Sequence, residues 1–278
     1  MASIFYIDGA FVDAREATLP VDDLAILRGF GVFDFLRTYN GSPFYLEAHV
    51  DRLFQSAERI GLAMRWTREE VVDITRQTLA QNQGAEHDIR IMVTGGTSQD
   101  GFCPSGNSRL LVMVTPHKDK PRGWYEKGVK LTTWLTQRDF PEAKSTNYIA
   151  GIMALQKACT EGGVEALYIG RDGQVLECTT SNIFGFMGER LITPDTGILP
   201  GITRQVVLDL AAGVFDVEKR RLSLQDLHAM DEVFITSSTR EIVPVIRIDE
   251  ETVGRGKPGS RTLKLMSRFS ELTQTYGK

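Results

Sequence analysis

The 278 residues, 42% hydrophobic and 24% charged, describe an ordinary globular chain with room for one large or two modest domains. A formal net charge of −4, without any block of like charge, argues against a nucleic-acid partner or an anionic membrane surface. Cys103, Cys159 and Cys178 are too few and too scattered for a disulfide framework or a zinc site, and no apolar run reaches membrane-spanning length. The expectation is a soluble protein of a reducing cytoplasm, with no structural metal.

The start, MASIFYIDGAFVDA, carries Asp8 and Asp13 and no basic region ahead of an apolar stretch. It predicts a strand, a turn at Asp8-Gly9 and a second strand, not a signal peptide. Val32 to Leu36 predicts a strand that turns at Asn40-Gly41 into a partner strand over Pro43, Phe44, Tyr45 and Leu46. From Glu47 the spacing changes: Val50, Leu53, Phe54, Ala57 and Ile60 recur with helical period, and Gly61 stops them. A second helix is expected over 67–82, with Thr67 as N-cap and Glu70 closing a capping box. Strands Ile89 to Thr94 and Arg109 to Thr115 follow, joined by the glycine-rich loop GGTSQDGFCPSGNS.

The stretch TPHKDKPRGWYEKG is polar, with two prolines and two glycines, and predicts a domain connection. The expected division is a domain over 1–115, a linker over 116–128 and a larger domain over 129–278. Beyond the linker, strands are expected at 129–133, 166–169, 182–187 and 233–236, and helices at 148–159, 203–212 and 261–276. Strands and helices do not alternate strictly, which favours an α+β fold over a doubly wound parallel sheet.

Five stretches carry side chains suited to chemistry. In FPEAKSTNYIAG, Lys144 stands just before a helix; an amine there is a nucleophile only if desolvated or beside another cation, and a loop lysine is more often simply solvated. In GQVLECTTSNIFGF, Glu177 is flanked by Leu176 and Cys178, as on a half-buried strand. It either serves a cationic partner in a site or pairs with a surface arginine. In LPGITRQVVLDLA, Pro200-Gly201 precedes a helix start at Ile202-Thr203, where free N–H groups and a hydroxyl suit a phosphate, or merely an ordinary cap. In ITSSTREI, Ser237, Ser238 and Thr239 end a strand, as a second phosphate edge or a serine/threonine turn. In HVDRLF, Arg52 sits near the edge of the helix's apolar face, able to fork onto phosphate or to pair with Glu58 or another acid. His49 reads as structural. Together these supply a lysine, a carboxylate and three anion-binding elements, the inventory that pyridoxal phosphate requires.

The ordered set DDLAILRGFGVFDFLRTYNG, HVDRLFQSAERI, KSTNY, ECTTSNIF, LPGITR and TSSTREIVPV resembles the fold-type IV, or class IV, pyridoxal-phosphate aminotransferases over nearly the whole chain. The resemblance implies a small N-terminal α/β domain and a larger C-terminal domain, with the active site between them in a homodimer. It implies Lys144 as the lysine that takes the cofactor covalently, Glu177 as partner of its pyridine nitrogen, and Tyr148 on its phenolic oxygen. Arg52, the Ile202 and Thr203 amides, and Ser238 or Thr239 would hold the phosphate, with Leu199 beneath the ring. A small-molecule amino acid and a 2-oxo acid would react in ping-pong order.

Substrate choice turns on the α-carboxylate. Branched-chain aminotransferases carry a tyrosine where Arg28 stands here and a tyrosine-isoleucine-arginine run where this chain has Asp88-Ile89-Arg90. The familiar D-amino acid transaminases carry an arginine and a histidine in the loop that here contains Asp100 and Phe102. A less typical D-amino acid subgroup is closer, sharing the LRGFG stretch and a TGG…S…DG loop. That likeness implies Arg28, reaching across the dimer, with Arg90 and Phe33 as substrate contacts. The expected activity is D-amino acid transamination. A branched-chain aminotransferase is the main alternative, ahead of an aminodeoxychorismate lyase or a non-catalytic cofactor-binding protein.

Overall fold

The computed structural model describes residues 3–278, which form two compact units. The first contains the chain up to Lys118, the strap Ala143–Asn147 and the tail Thr275–Lys278; the second contains Asp119–Glu142 and Tyr148–Gln274. The sequence-based division at 115 and 129 therefore differs in two ways. The segment expected as a linker holds a short helix, and its Trp124 and Tyr125 pack on the core of the second unit. The lysine strap and the last four residues also group with the first unit, which no local composition announces.

The first unit runs β1 (Ile4–Ile7), β2 (Ala10–Asp13), α1 (Leu24–Arg28), β3 (Gly31–Tyr39), β4 (Ser42–Pro43), α2 (Leu46–Arg59), α3 (Arg68–Ala80), β5 (His87–Thr94) and β6 (Arg109–Pro116). Its strands form one antiparallel sheet in the order β2-β1-β6-β5-β3-β4. The period-two alternation of β3 turns Val32, Asp34, Leu36 and Thr38 inward, and Val32 and Leu36 join Val50, Leu53 and Ala57 of α2 and Val71 of α3 in one core. Phe33, Phe35 and Arg37 fall on the opposite face. The capping box of α3 forms as expected: Thr67 Oγ1 accepts from Glu70 N and Glu70 Oε2 accepts from Thr67 N.

The partner strand expected over 43–46 stops at Pro43. Phe44 is buried against Tyr39, Tyr45 and Tyr276, and Tyr45 takes a left-handed turn (φ 51°) that starts α2 at once. Tyr276, from the end of the chain, fixes this corner: its Oη accepts from Tyr45 N at 2.8 Å and its carbonyl accepts from Asn40 Nδ2 at 2.9 Å. Contacts with a residue so distant in sequence outweigh the local β pattern.

The second unit runs α4 (Gly123–Lys127), β7 (Val129–Leu135), α5 (Ile149–Thr160), β8 (Glu165–Ile169), β9 (Gln174–Cys178), β10 (Asn182–Met187), β11 (Arg190–Thr193), α6 (Ile202–Ala211), β12 (Asp216–Lys219), β13 (Leu222–Ser223), α7 (Leu224–His228), β14 (Glu232–Ser237), β15 (Glu241–Ile248), β16 (Glu251–Thr252) and α8 (Ser260–Thr275). A ten-stranded mixed sheet runs β12-β11-β10-β14-β15-β7-β8-β9-β13, with β16 paired to β15. Its apolar centre combines Leu131, Leu167, Val175, Ile183, Ile235 and Val243. The helix starting at Ser260 is anchored by Glu232, whose Oε1 accepts from Arg261 N and Nε and whose Oε2 accepts from Thr262 N and Oγ1. These bonds satisfy donors that a helix start otherwise leaves open. Among the described residues no helix is long and apolar enough to cross a membrane, and no group of side chains could hold a metal ion.

Candidate active site

Lys144 is presented by strand addition. In the first unit the strap lies along the edge of β3, where Val32 and Ser145 form an antiparallel bridge. Phe33 N donates to Lys144 O at 2.9 Å, and Thr146 N donates to Gly31 O at 2.9 Å. Lys144 N donates to Ser56 Oγ at 3.0 Å, and Thr146 Oγ1 donates to Gly29 O at 2.6 Å. Gly31 allows this approach: a Cβ there would stand 3.0 Å from Val93 O and 3.3 Å from Thr146 Oγ1. The backbone of Lys144 is thus fixed at both of its polar atoms, while its Nζ lies 4.8 Å from the centroid of the Phe33 ring.

Arg52, expected near the edge of the helix's apolar face, is instead buried, and its acid is Asp34 rather than Glu58. Nε donates to Asp34 Oδ2 at 2.9 Å and Nη2 to Oδ1 at 2.8 Å, while His49 Nδ1 lies 2.6 Å from Oδ1. Burial works to raise the Asp34 pKa, but Arg52 and His49 more than offset it and hold the carboxyl well below the usual range. Burial also pushes the His49 pKa down, against the pull of Asp34, so the imidazole stays neutral at pH 7. Asp34 was missed by sequence reasoning, although an acid between Val32 and Leu36 on an inward-facing position signals a buried cationic partner.

Arg90 stands on the other face of the same sheet, and Arg28 on the helix that precedes β3. The Arg90 guanidinium is 5.4 Å from the Phe33 centroid and 5.3 Å from that of Phe35, its partner across β3 and β5. Arg28 ends α1, and its guanidinium lies 4.0 Å from the centre of the Phe102 ring. Both guanidinium groups lie over aromatic rings, and among the described residues neither meets a carboxylate.

The second unit holds the remaining expected residues. Glu177 is buried near the end of β9, as its apolar flanks predict. It does pair with an arginine, Arg138, but inside the protein: Nε donates to Oε1 at 3.0 Å, and Nη2 donates both to Oε1 and to the carbonyl of Pro141. The other oxygen, Oε2, accepts from Leu199 N at 3.0 Å, and Leu199 O accepts from Asn182 Nδ2 at 2.9 Å. Leu199 is therefore clamped on both sides just ahead of Gly201, which precedes α6. No side chain caps that helix start, so the first-turn N–H groups of Ile202 and Thr203 are suited to an anion. A Cβ on Gly201 would stand 2.0 Å from Asn182 Oδ1, so only glycine fits this corner.

Asn182 also pairs in register with Thr236 on β14, tying the Leu199–Gly201 corner to the hydroxyl-rich end of that strand. Ser238 and Thr239 form the half-buried turn between β14 and β15. Among the described residues the buried Oγ of Ser237 and Oγ1 of Thr236 have no hydrogen-bond partner, an omission that a bound anion or water corrects. Arg240 turns away from this edge to Glu165, which also accepts from Thr180 N at 3.0 Å. Tyr148, at the N-cap of α5, packs its ring on Gly151, and burial pushes its pKa up to about 12. Arg138 and Asn182 were the other residues missed; neither has a local signal, because their partners lie 39 and 17 residues away.

The pinned lysine of the first unit and, in the second, a buried carboxylate bonded to an arginine and an uncapped helix start beside hydroxyls without a partner among the described residues are the residue types that pyridoxal phosphate requires. They define an enzyme that borrows its chemistry from that cofactor. Comparison with known proteins agrees. The family model for class IV amino-transferases matches residues 31–248. A putative branched-chain-amino-acid aminotransferase of Methanocaldococcus jannaschii is 35% identical, covering 98% of this chain and 97% of the relative. A D-alanine aminotransferase of Listeria monocytogenes is 32% identical with the same coverage. The solved structure of the Escherichia coli branched-chain amino acid aminotransferase superposes with a TM-score of 0.93 at 25% identity, covering 100% of this chain and 97% of that one. The chain belongs to the class IV aminotransferases, enzymes of fold type IV that work with pyridoxal phosphate.

Proposed function

We propose that the protein is a D-amino acid transaminase that moves an amino group between a D-amino acid and a 2-oxo acid such as 2-oxoglutarate or pyruvate. The observation that carries this reading is the shared ring: Lys144 Nζ and the Arg90 guanidinium lie 4.8 Å and 5.4 Å from the same Phe33 centroid. A substrate whose reacting carbon meets Nζ can set a carboxylate on the forked donors of Arg90, and Arg28 supplies a second such group. The D-alanine aminotransferase relatives support the same reading. The branched-chain alternative draws on the Methanocaldococcus relative and on the apolar surface that Phe33 and Phe35 offer to a hydrocarbon side chain.

Pyridoxal phosphate, when bound, supplies the electron sink that makes the substrate's Cα–H acidic. Lys144 would hold its aldehyde carbon. Once freed by the substrate's own amine, Nζ would be the base that takes the Cα proton and delivers it to the carbon that had been the cofactor's aldehyde, leaving the substrate carbon to be hydrolysed to a 2-oxo acid. Glu177, its charge compensated by Arg138, would hold a proton on the ring nitrogen. Tyr148 keeps its phenolic proton throughout the working pH range and would donate it to the ring oxygen. Arg52, the Ile202 and Thr203 amides and the hydroxyls of Ser237, Ser238 or Thr239 would hold the phosphate, with Leu199 against the ring. The assembly in this reading is a homodimer in which Arg28 serves the neighbouring site. The exposed apolar face of α5, Ile149, Ile152 and Met153, supports burial against another copy.

The test is a half-reaction panel of paired D- and L-amino acids, read as conversion of the bound cofactor's absorbance to the pyridoxamine form. D-alanine and D-glutamate are expected to convert it and L-leucine and L-valine to leave it unchanged. The reverse pattern would establish the branched-chain alternative, and no conversion by any of them would remove transamination altogether. A second measurement addresses Glu177. Arg138→Met is expected to weaken uptake of pyridoxal phosphate by the apoprotein about tenfold, the low end for losing a hydrogen bond to a charged group, with Arg138→Lys losing less. Fluorescence titration of the apoprotein reads this directly, and wild-type affinity in the methionine variant would show that Leu199 N–H suffices.

A further inference from the structure

We propose that Phe102 is a specificity-determining residue: its ring is a shelf that holds the Arg28 guanidinium in place for a second carboxylate, selecting dicarboxylic over monocarboxylic substrates. The inference rests on the reading of Arg28 as a carboxylate-binding group.

The loop over residues 95–108 is built to present this ring. Its two stems are pinched together: a Cβ on Gly96 would stand 2.2 Å from Asn107 O, and Asn107 Nδ2 donates to Thr97 Oγ1 at 2.8 Å. Within the loop, Asp100 Oδ1 accepts from Phe102 N at 2.8 Å and from Cys103 N at 2.7 Å. Gly101 turns the corner between them with φ +72°. The backbone of Phe102 is therefore held, although the residue is 69% exposed. An exposed phenyl ring gains nothing from water, and here one face of it carries the guanidinium of Arg28 at 4.0 Å. The contact is specific to that corner, since a Cβ on Gly101 would lie 3.6 Å from Arg28 Nη2.

The other end of Arg28 is fixed as well. The helix carrying it stops at Gly29 in a left-handed turn, and Nη1 donates to Leu27 O at 2.8 Å. With one face on the ring and Nη1 tied back, the edge formed by Nε and Nη2 has no partner among the described residues. Asp100, two residues from Phe102, forms no ion pair with it among the described residues; its Oδ1 accepts instead from the loop's own N–H groups. An arginine on a surface normally loses much rotamer freedom on binding a ligand. Stacking removes part of that freedom beforehand, so a forked carboxylate binds more tightly.

The experiment compares wild-type holoenzyme with Arg28→Ala, Phe102→Ala and Phe102→Tyr. Calorimetry measures binding of glutarate, a dicarboxylate that does not react, and of pentanoate as its monocarboxylate counterpart. Kinetics give KM for 2-oxoglutarate and for 4-methyl-2-oxopentanoate. Phe102→Ala is expected to raise the glutarate Kd and the 2-oxoglutarate KM about five- to tenfold, the scale of one cation–π contact, with little change for the monocarboxylates. Phe102→Tyr, which keeps a flat ring, is expected to restore both. Equal weakening of both acid classes would make Phe102 a general wall and overturn the proposal, as would a tyrosine variant that fails to rescue. If Arg28→Ala selectively loses glutarate while Phe102→Ala does not, the shelf is wrong and the role of Arg28 stands. If Arg28→Ala leaves glutarate binding intact, the reading of Arg28 fails and the proposal falls with it.

Discussion

Lys144→Ala is expected to abolish covalent attachment of pyridoxal phosphate and to lower turnover by at least about four orders of magnitude, the scale on which removal of an essential nucleophile and base is felt. The fold should survive the change. The strap is held by Lys144 N and Lys144 O, not by the side chain, so Phe33 and Ser56 keep their hydrogen bonds. Borohydride reduction followed by intact-mass measurement reads the attachment, and a melting curve reads the fold. A reduced adduct at wild-type yield, or turnover near that of the parent, would refute the assignment.

Asp34→Asn is expected to cost about 3–5 kcal/mol of stability, the range for removing one partner of a buried ion pair. The loss arises because Arg52, only 5% exposed, would lose the carboxylate on which it forks, while His49 loses an anionic partner. The sign of the pH dependence follows from the depressed folded-state pKa of Asp34. Its contribution is fully present above the unfolded carboxyl pKa of about 3.9 and is lost progressively as pH falls below that value. Urea titrations at pH 7 and at about pH 3 should therefore show a large gap between parent and variant that narrows in acid. A gap of equal size at both values would mean that Asp34 contributes through shape rather than charge.

Elements with a strong period were legible from residues alone. The helix of Val50, Leu53 and Ala57, the capping box at Thr67 and the strand pair joined by the glycine-rich loop all stand where spacing placed them. Strands of two to four residues, such as Arg190–Thr193, Leu222–Ser223 and Glu251–Thr252, are too short to display a period and went unseen. At the site, the residue types were readable but several of their pairings were not. Arg52 was identified with Glu58 or another acid as a possible partner, but Asp34 was not named, because it lies on a different element 18 residues upstream. Glu177 was placed on a half-buried strand by its neighbours, yet Arg138 sits in an irregular stretch where no pattern distinguishes one arginine from another. The seating of the lysine strap on β3 is likewise a long-range pairing, with Lys144 N and Ser56 Oγ 88 positions apart.

That seating bears on how such a protein can be divided. The chain passes from one unit to the other at 118/119, 142/143, 147/148 and 274/275, so one cut releases neither of them whole. A fragment beginning at Asp119 would carry Lys144 and Thr146 but neither Phe33 nor Gly31, whose backbone they pair with. A fragment ending at Lys118 would lack both that added strand and the Tyr276 latch on Asn40 and Tyr45. The units are not interchangeable cassettes. A chimaera that exchanges only the first 118 residues between relatives must reconcile one parent's β3 edge with a five-residue strap encoded by the other, and its success will depend on whether Gly31 and Ser56 are kept.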